Sequence, residues 1–218
     1  MVNRLPCRAV VFDFDGTLAD SMPFLQRIGV EMMMKHFAVS KEDATNRYVT
    51  TTGLPYEHQI KINFPDDSRN DAAIEEFEQL KIERIFEQEL FPDAINVVES
   101  LKEMGLDIFV SSSTFQSTIE EYFERREIRT LFKHILGYRP GFEKGVHHFN
   151  YIHDQFNISY YDMVFVGDSL KDFERTRGIC DFIALVGLFS EQDFRDAGHG
   201  DYIVHSLSEI LNIVTYQG

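Results

Sequence analysis

The sequence predicts an α/β protein: a doubly wound, mostly parallel sheet, forming a Rossmann-like core, with an inserted all-helical domain. Short runs that are apolar on both faces recur along the chain, which is typical of parallel strands covered by helices on both sides. Segments with helical spacing separate these runs. The stretch between residues 21 and 90 breaks this alternation, because it contains helix-like segments and no convincing strand.

Each core element has its own sequence signal. The apolar runs predict strands at Ala9–Phe12, Leu106–Val110, Met163–Val166 and Phe182–Val186. The segments between them predict helices at Asp93–Met104, Gln116–Arg126, Val146–Phe156 and Leu170–Arg177. Gly105 marks the end of the first of these helices, and Pro92 suits its first turn.

The segment 21–90 is too long for a simple connection between two strands. Its helical patterns predict helices at Pro23–Phe37, Lys41–Tyr48, Pro55–Ile62 and Asn70–Leu90. We therefore assign residues 1–20 and 91–218 to an α/β catalytic core, and residues 21–90 to a helical cap domain.

Composition excludes several classes of partner. The chain has 218 residues, with 21 Lys and Arg against 36 Asp and Glu, a formal net charge of −15. Nucleic acids and anionic membranes favour basic surfaces, so we predict neither as a partner. No apolar run reaches the roughly 18 residues that a membrane span needs. The two cysteines, Cys7 and Cys180, fit neither a disulfide framework nor a zinc pattern, which predicts buried thiols in a reducing cytoplasm.

An apolar strand ends in two carboxylates within the run Val10–Leu18. Side chains alternate along a strand, so Asp13 and Asp15 lie on one side of the chain, and Gly16 permits a sharp turn after them. Ligands of open α/β sheets bind beyond the carboxyl ends of the strands. Both carboxylates are therefore predicted to line a ligand crevice. The alternative is a surface turn that happens to carry two acids.

A second acidic cluster follows another predicted strand. Asp168 comes directly after it and Asp172 lies four residues later, across the start of a helix. Acids at such positions also cap helices. Carboxylates from both clusters would converge on one sheet edge and repel one another without a cation. Their hard oxygen atoms suit Mg²⁺.

Two further strand ends supply groups that an anion site needs. The run Leu106–Val110 leads into the hydroxyl-rich row Ser111–Thr114 ahead of a helix, and such a helix start can hold a phosphate. Ser111 and Ser112 are the candidate phosphate ligands. Lys144, also ahead of a predicted helix, is the candidate cation, although a lone lysine is usually solvated.

These four segments, in this order and spacing, resemble the four motifs of the haloacid-dehalogenase-like hydrolase superfamily. The resemblance covers essentially the whole chain, and the helical insertion matches the C1-type cap of that superfamily. The run from Phe12 to Asp20, followed by Ser21, resembles most closely the phosphoglycolate-phosphatase-like branch.

The resemblance implies a role for each motif residue. Asp13 matches the nucleophile, and Asp15 matches the general acid/base. Ser111 matches the phosphate-binding hydroxyl, with Ser112 beside it, and Lys144 matches the phosphate-binding lysine. The implied ligands of a Mg²⁺ cofactor are Asp13, Asp15 through its backbone carbonyl, Asp168 and Asp172.

The implied activity is Mg²⁺-dependent hydrolysis of a small phosphorylated metabolite, of the phosphoglycolate type, through an aspartyl-phosphate. The dehalogenases of the superfamily lack an acid two residues after the nucleophile, so Asp15 indicates phosphoryl chemistry. A phosphomutase and a non-catalytic phosphate-binding protein are the alternatives. The loop Gly53–Tyr56 lacks the arginine that sugar-phosphate mutases usually carry there. The sequence does not indicate an oligomeric state.

The third motif departs from the pattern of this branch. Lys144 is followed by Gly145, whereas many relatives have Lys-Pro. His147, His148 and His153 follow in the next predicted helix. Their spacing is not the i, i+4 pairing of helical metal ligands, so we interpret them as surface or packing residues.

Overall fold

The computed structural model of the protein describes residues 4–217. The chain forms two compact units. One contains the chain up to Ala19 and from Leu90 onward, and the other is Asp20–Glu89. Among residues 4–217, no helix is both long enough and apolar enough to cross a membrane.

The first unit is built on a six-stranded sheet in which every neighbouring pair is parallel. Its strands run in the order β4-β3-β2-β5-β6-β7. They are β2 Ala9–Phe12, β3 Asp107–Phe115, β4 His134–Tyr138, β5 Met163–Gly167, β6 Asp181–Leu185 and β7 Ile203–Val204. A separate parallel pair joins β1 Leu5–Cys7 to β8 Val214–Tyr216. The predicted α/β fold with a parallel sheet is confirmed.

Helices follow the strands as a doubly wound fold requires. They are α5 Ala94–Glu103, α6 Gln116–Arg125, α7 Val146–Phe156, α8 Leu170–Thr176 and α9 Glu191–Asp196. Val11, Phe109 and Phe165 of the three central strands pack against Phe149 and Ile152 of α7 in one buried cluster. This packing fixes α7, and the loop before it, against the middle of the sheet.

The third strand is longer than the sequence predicts. It continues beyond Val110 to Phe115, because Ser111 pairs with Leu136 and Phe115 with Tyr138 of β4, with a register shift between the two pairs. The hydroxyl-rich row is therefore extended chain, and α6 begins only at Gln116.

The partner strand β4 was not predicted, and its glycine explains why. Gly137 weakens the strand signal, since glycine has no side chain to pack. A Cβ atom at Gly137 would come within 2.6 Å of the Gln116 Cα. The glycine is therefore required for the close approach of α6 to the sheet. The short elements β1, β7, β8 and α9 were also not predicted.

The second unit is helical, and no strand occurs in residues 20–89, all of which the structure describes. Its helices are α1 Met22–Phe37, α2 Lys41–Thr51, α3 Tyr56–Asn63 and α4 Asn70–Arg84. A 3₁₀ turn at Ile85–Glu87 replaces the predicted end of the last helix. An apolar core that includes Ile28, Met33, Ile60 and Phe77 holds these helices together.

The chain leaves the first unit and returns to it at adjacent points. Ala19 forms an antiparallel bridge with Leu90, and the Phe91 N–H donates to the Leu18 carbonyl over 2.9 Å. The first unit is therefore closed across the insertion by its own backbone hydrogen bonds.

Candidate active site

Three buried carboxylates meet at the carboxyl edge of the central strands. Asp13 follows β2 directly, Asp168 follows the neighbouring strand β5, and Asp172 lies in the first turn of α8. One oxygen from each lies within 4.8 Å of the others, and all three side chains are buried. The structure thus brings together three of the four acids that the sequence selects.

Backbone contacts fix Asp13 at this edge. Its N–H donates to the Val166 carbonyl over 2.8 Å, and its Oδ1 accepts from the Phe14 N–H over 2.6 Å. The Phe14 carbonyl then accepts from the N–H groups of the following turn. The Phe14 ring packs edge-on against Tyr122 of α6, with ring centroids 4.7 Å apart. The loop after β2 is therefore anchored on both sides of Asp13.

Lys144 enters the acidic cluster from the loop before α7. Its Nζ lies 2.8 Å from Asp13 Oδ1 and 2.6 Å from Asp172 Oδ1. Burial alone would lower the pKa of Lys144, but these two carboxylates raise it overall. The lysine is therefore a permanent buried cation, and not the solvated side chain that a lone lysine usually is.

Lys144 does not balance the charge of the three carboxylates, even with Arg175, whose Nη1 lies 3.7 Å from Asp172 Oδ1. Burial, with smaller contributions from Asp172 and Asp15, raises the pKa of Asp13 to about 7 against the lowering effect of Lys144. Burial, with Asp13 and Asp172, also raises the pKa of Asp168 well above its usual range. Closely spaced carboxylates shift in this way when cationic charge is lacking.

A carboxylate oxygen in the cluster has no donor. Asp168 Oδ1 accepts from the Thr17 hydroxyl over 3.3 Å, but Asp168 Oδ2 has no hydrogen-bond partner within residues 4–217. Asp172 Oδ1 lacks a hydrogen bond as well, yet its ion pair with Lys144 accounts for it. A buried acceptor without a partner is costly, and a cluster of three carboxylates that each offer a hard oxygen donor suits a divalent cation. The donor set therefore fits Mg²⁺.

The conformation of the loop that carries Lys144 explains why glycine, and not proline, follows this lysine. Gly145 has φ +107° and ψ −132°, and proline cannot reach this conformation because its ring holds φ near about −65°. A Cβ atom at Gly145 would also lie 3.2 Å from the Arg175 Cδ. The Glu143 N–H donates to His147 Nδ1 over 3.1 Å, which ties the loop to α7. Lys144 therefore approaches Asp13 through a glycine-dependent turn.

The two candidate phosphate serines have different partners. The Ser111 Oγ lies 2.8 Å from His148 Nδ1, and His148 Nε2 lies 3.2 Å from the Gly137 carbonyl. The Ser112 Oγ instead accepts from the Thr114 N–H over 3.0 Å. Both serines and His148 are completely buried. His148 was not selected as a site residue, although it lies only four residues after Lys144 in the sequence.

Asp15 also has a partner that the sequence did not indicate. The Thr114 hydroxyl donates to Asp15 Oδ2 over 2.8 Å. Thr114 was considered only as part of a hydroxyl-rich row ahead of a helix. Because β3 continues past Val110, this threonine is carried to the loop after β2.

The arrangement matches a known family along most of the chain. Residues 10–179 match the model of the haloacid dehalogenase-like hydrolase family. The chain belongs to this family, and the class of enzyme predicted from its motifs, a haloacid dehalogenase-like hydrolase, is confirmed.

Individual relatives and solved structures are similar at low identity over nearly the whole chain. The chain is 23% identical to a phosphoglycolate phosphatase of Aliivibrio fischeri, over 94% of this chain and 92% of that relative. It resembles the structure of a haloacid dehalogenase-like hydrolase from Streptococcus pneumoniae, with TM-score 0.79, 22% identity, and coverage of 94% and 97% of the two chains. It also resembles CbbY from Rhodobacter sphaeroides in complex with phosphate, with TM-score 0.73, 18% identity, and coverage of 94% and 96%. At these identities the two structures show a shared fold.

Proposed function

We propose that this hydrolase is a Mg²⁺-dependent phosphatase that acts on a small phosphorylated metabolite. The observation that carries the proposal is the buried ion pair between Asp13 and Lys144, beside the carboxylate of Asp168 that has no donor for its Oδ2. A nucleophilic carboxylate held against a cation suits attack on a phosphate ester, and a metal ion would offset the excess negative charge of the cluster.

We assign the metal to four residues. The side chains of Asp13, Asp168 and Asp172 would hold it, together with the backbone carbonyl of Asp15. When bound, Mg²⁺ supplies positive charge to the oxygens of the transferring phosphoryl group.

The protein's own residues account for the remaining chemistry. An oxygen of Asp13 attacks phosphorus and forms an aspartyl-phosphate while the bond from phosphorus to the ester oxygen breaks. Asp15 donates its proton to the departing alkoxide, then takes a proton from the water that hydrolyses the aspartyl-phosphate. The Lys144 ammonium neutralises negative charge on Asp13 and on the phosphoryl oxygens. The end of β3, where Ser111 and Ser112 lie, is the proposed phosphate-binding segment.

The proposed substrate is a small phosphate ester of the phosphoglycolate type. The relative from Aliivibrio fischeri bears the name phosphoglycolate phosphatase, and this chain spans nearly all of its length. We propose that the helical unit Asp20–Glu89 serves as the cap that selects the leaving group. The unpaired thiols Cys7 and Cys180 support action in a reducing compartment such as the cytoplasm.

The proposal is tested by hydrolysis of an aryl phosphate, with and without Mg²⁺, followed by a panel of phosphorylated metabolites that includes phosphoglycolate. We expect metal-dependent release of phosphate that is abolished by Asp13→Asn. The exposed Asp154, changed to Asn, is the matched control and should leave turnover unchanged.

Each alternative function has its own outcome in this experiment. Isomerisation that needs a bisphosphate activator, without net phosphate release, would identify a phosphomutase. Tight Mg²⁺-dependent ligand binding without turnover would identify a binding protein. Activity that survives Asp13→Asn would contradict the proposed mechanism.

A further inference from the structure

A buried histidine lies directly behind the end of β3. His148, in the first turn of α7, is completely excluded from solvent and touches two strands through its ring. Its Nε2 faces the Gly137 carbonyl of β4 at 3.2 Å, and its Nδ1 faces the Ser111 hydroxyl of β3 at 2.8 Å. The proposed chemistry does not use this side chain.

The two contacts determine where the protons are. A backbone carbonyl only accepts hydrogen bonds, so Nε2 must carry the ring proton. Burial lowers the pKa of His148 to about 3, so the ring is neutral at physiological pH and Nδ1 has a lone pair. The hydroxyl of Ser111 is therefore the donor in its contact with His148.

Because the Ser111 hydroxyl donates to His148, it cannot at the same time donate to a phosphate. A hydroxyl has one proton, and that of Ser111 is directed at His148. Turning it toward a phosphate would leave Nδ1 buried without a donor. The opposite tautomer would instead direct a lone pair of Nε2 at the Gly137 carbonyl. Either change loses a buried hydrogen bond.

The neighbouring serine is in a different position. The Ser111 hydroxyl faces His148, whereas the Ser112 hydroxyl has a different partner. The Ser112 oxygen accepts from the Thr114 N–H, so its proton is directed at another group. Ser112 can therefore donate to a phosphate without breaking the contact between Ser111 and His148.

We propose that His148 is a positioning residue: it holds the Ser111 hydroxyl proton away from the phosphate and fixes the end of β3, so that Ser112 supplies the hydroxyl donor. The part of this inference that concerns phosphate rests on the proposed function. The proposal assigns different roles to two adjacent serines that the sequence does not distinguish: Ser111 contacts His148, and Ser112 contacts phosphate.

Nitrogen resonances of the histidine rings test the inference directly. The protein is labelled with ¹⁵N-histidine, and His148→Gln identifies the signal to be followed among the eight histidines. We expect the resonances of His148 to show a protonated Nε2 and an unprotonated Nδ1. Neither resonance should change when Mg²⁺ and inorganic phosphate are added. Ser111→Ala should shift the Nδ1 resonance. If phosphate itself shifts Nδ1 as Ser111→Ala does, Ser111 has turned to the phosphate and the inference is wrong.

Kinetic variants give a second, independent readout. We expect Ser112→Ala to raise the inhibition constant of inorganic phosphate about tenfold, and Ser111→Ala to leave it within about twofold, in line with the loss of one hydrogen bond.

His148→Asn keeps an acceptor near the position of Nδ1, whereas His148→Leu does not. We expect His148→Leu to lower kcat about tenfold and His148→Asn to restore most of it. Equal effects of these two variants, or a larger inhibition-constant change in Ser111→Ala than in Ser112→Ala, would overturn the assignment.

Failure of the proposed function is distinguishable from failure of this inference. If the protein neither binds phosphate nor hydrolyses esters, the proposed function fails, and the role assigned to Ser112 fails with it. The tautomer of His148 in the unliganded protein still decides whether Ser111 is held as described. If the enzyme is active but Nδ1 is protonated, only the inference fails.

Discussion

The Thr114 hydroxyl donates a hydrogen bond to Asp15 Oδ2 over 2.8 Å, and so connects the end of β3 to the loop after β2. The two residues are 99 positions apart in the sequence. The contact exists because two adjacent parallel strands end at the same edge of the sheet. In the proposed reaction, it orients the carboxyl group that exchanges protons with the leaving group and with water.

Removal of this hydroxyl should impair the reaction without unfolding the protein. Thr114→Val keeps the shape of the side chain but loses the donor to Asp15. We expect kcat/KM for an aryl phosphate to fall about tenfold, the effect of losing one hydrogen bond. The control is Thr50→Val, since the exposed Thr50 hydroxyl bonds only carbonyls of its own helix. Equal activity of the two variants would show that Asp15 does not depend on Thr114.

The turn at Gly145 should be indispensable for placing Lys144. Gly145→Ala puts a side chain at φ +107° and against Arg175, which costs about 1–3 kcal/mol in backbone strain alone. We expect a lower free energy of unfolding in urea and a reduced kcat. Gly187→Ala is the control, because a Cβ atom there meets nothing within 4 Å. The prediction fails if both variants retain the kinetics and stability of the parent.

Removal of divalent metal should abolish phosphate binding. Asp13, Asp168 and Asp172 carry more negative charge than Lys144 and Arg175 offset, so the metal-free site repels an anion. Calorimetric titration with inorganic phosphate should show binding in Mg²⁺ and none in chelator. Phosphate binding that is unchanged by the chelator would contradict the assigned site.

The acid with the unpartnered oxygen should dominate metal affinity. Asp168→Asn is expected to weaken Mg²⁺ binding at least about 10–100-fold, the range seen even for residues that only support metal ligands. Asp154→Asn removes an equal charge from an exposed position and should leave the affinity unchanged. Similar losses in the two variants would indicate that net charge alone attracts the metal.

Acid should destabilise the protein partly through His148. Its pKa is about 3 in the folded chain but about 6.5 in an unfolded chain. As the pH falls below 6.5, the unfolded state gains a proton that the folded state does not bind, so this contribution to stability decreases by up to about 1.4 kcal/mol per pH unit.

Urea unfolding of the parent and of His148→Gln measures this effect. The groups that both proteins share, Asp13 and Asp168 among them, contribute equally and cancel in the difference. The difference in unfolding free energy between parent and variant should be smaller at pH 5 than at pH 7 by roughly 2 kcal/mol. A difference that does not vary with pH would mean that His148 is not the buried neutral ring described above.

Sequence patterns were sufficient where a segment's own residues determine its structure. The strand Ala9–Phe12 and the helix Val146–Phe156 have the predicted bounds, because each is a continuous apolar or amphipathic segment. The meeting of Asp13, Asp168 and Asp172 also followed from local signals, since Asp13 and Asp168 follow predicted strands and Asp172 lies in the first turn of the helix after Asp168.

Features that depend on contacts distant in sequence were not predicted. Whether β3 ends at Val110 or Phe115 is decided by pairing with β4, which itself contains a glycine required by α6. The same long-range pairing brings Ser111 to His148 and Thr114 to Asp15. A row of hydroxyl residues does not reveal which member faces a histidine, which faces a carboxylate, and which is left for a ligand.

The paired backbone of Ala19 and Leu90 makes the core open to exchange of its insert. Paired strands lie only about 4.8 Å apart, so any replacement need only begin and end at neighbouring points to leave β2 and the acidic cluster in register. We expect that the segment 20–89 can be replaced between Ala19 and Leu90 by a different helical domain or by a short Gly-Ser linker. In the proposed function, chimeras built there would separate substrate selection by the inserted unit from the chemistry at Asp13.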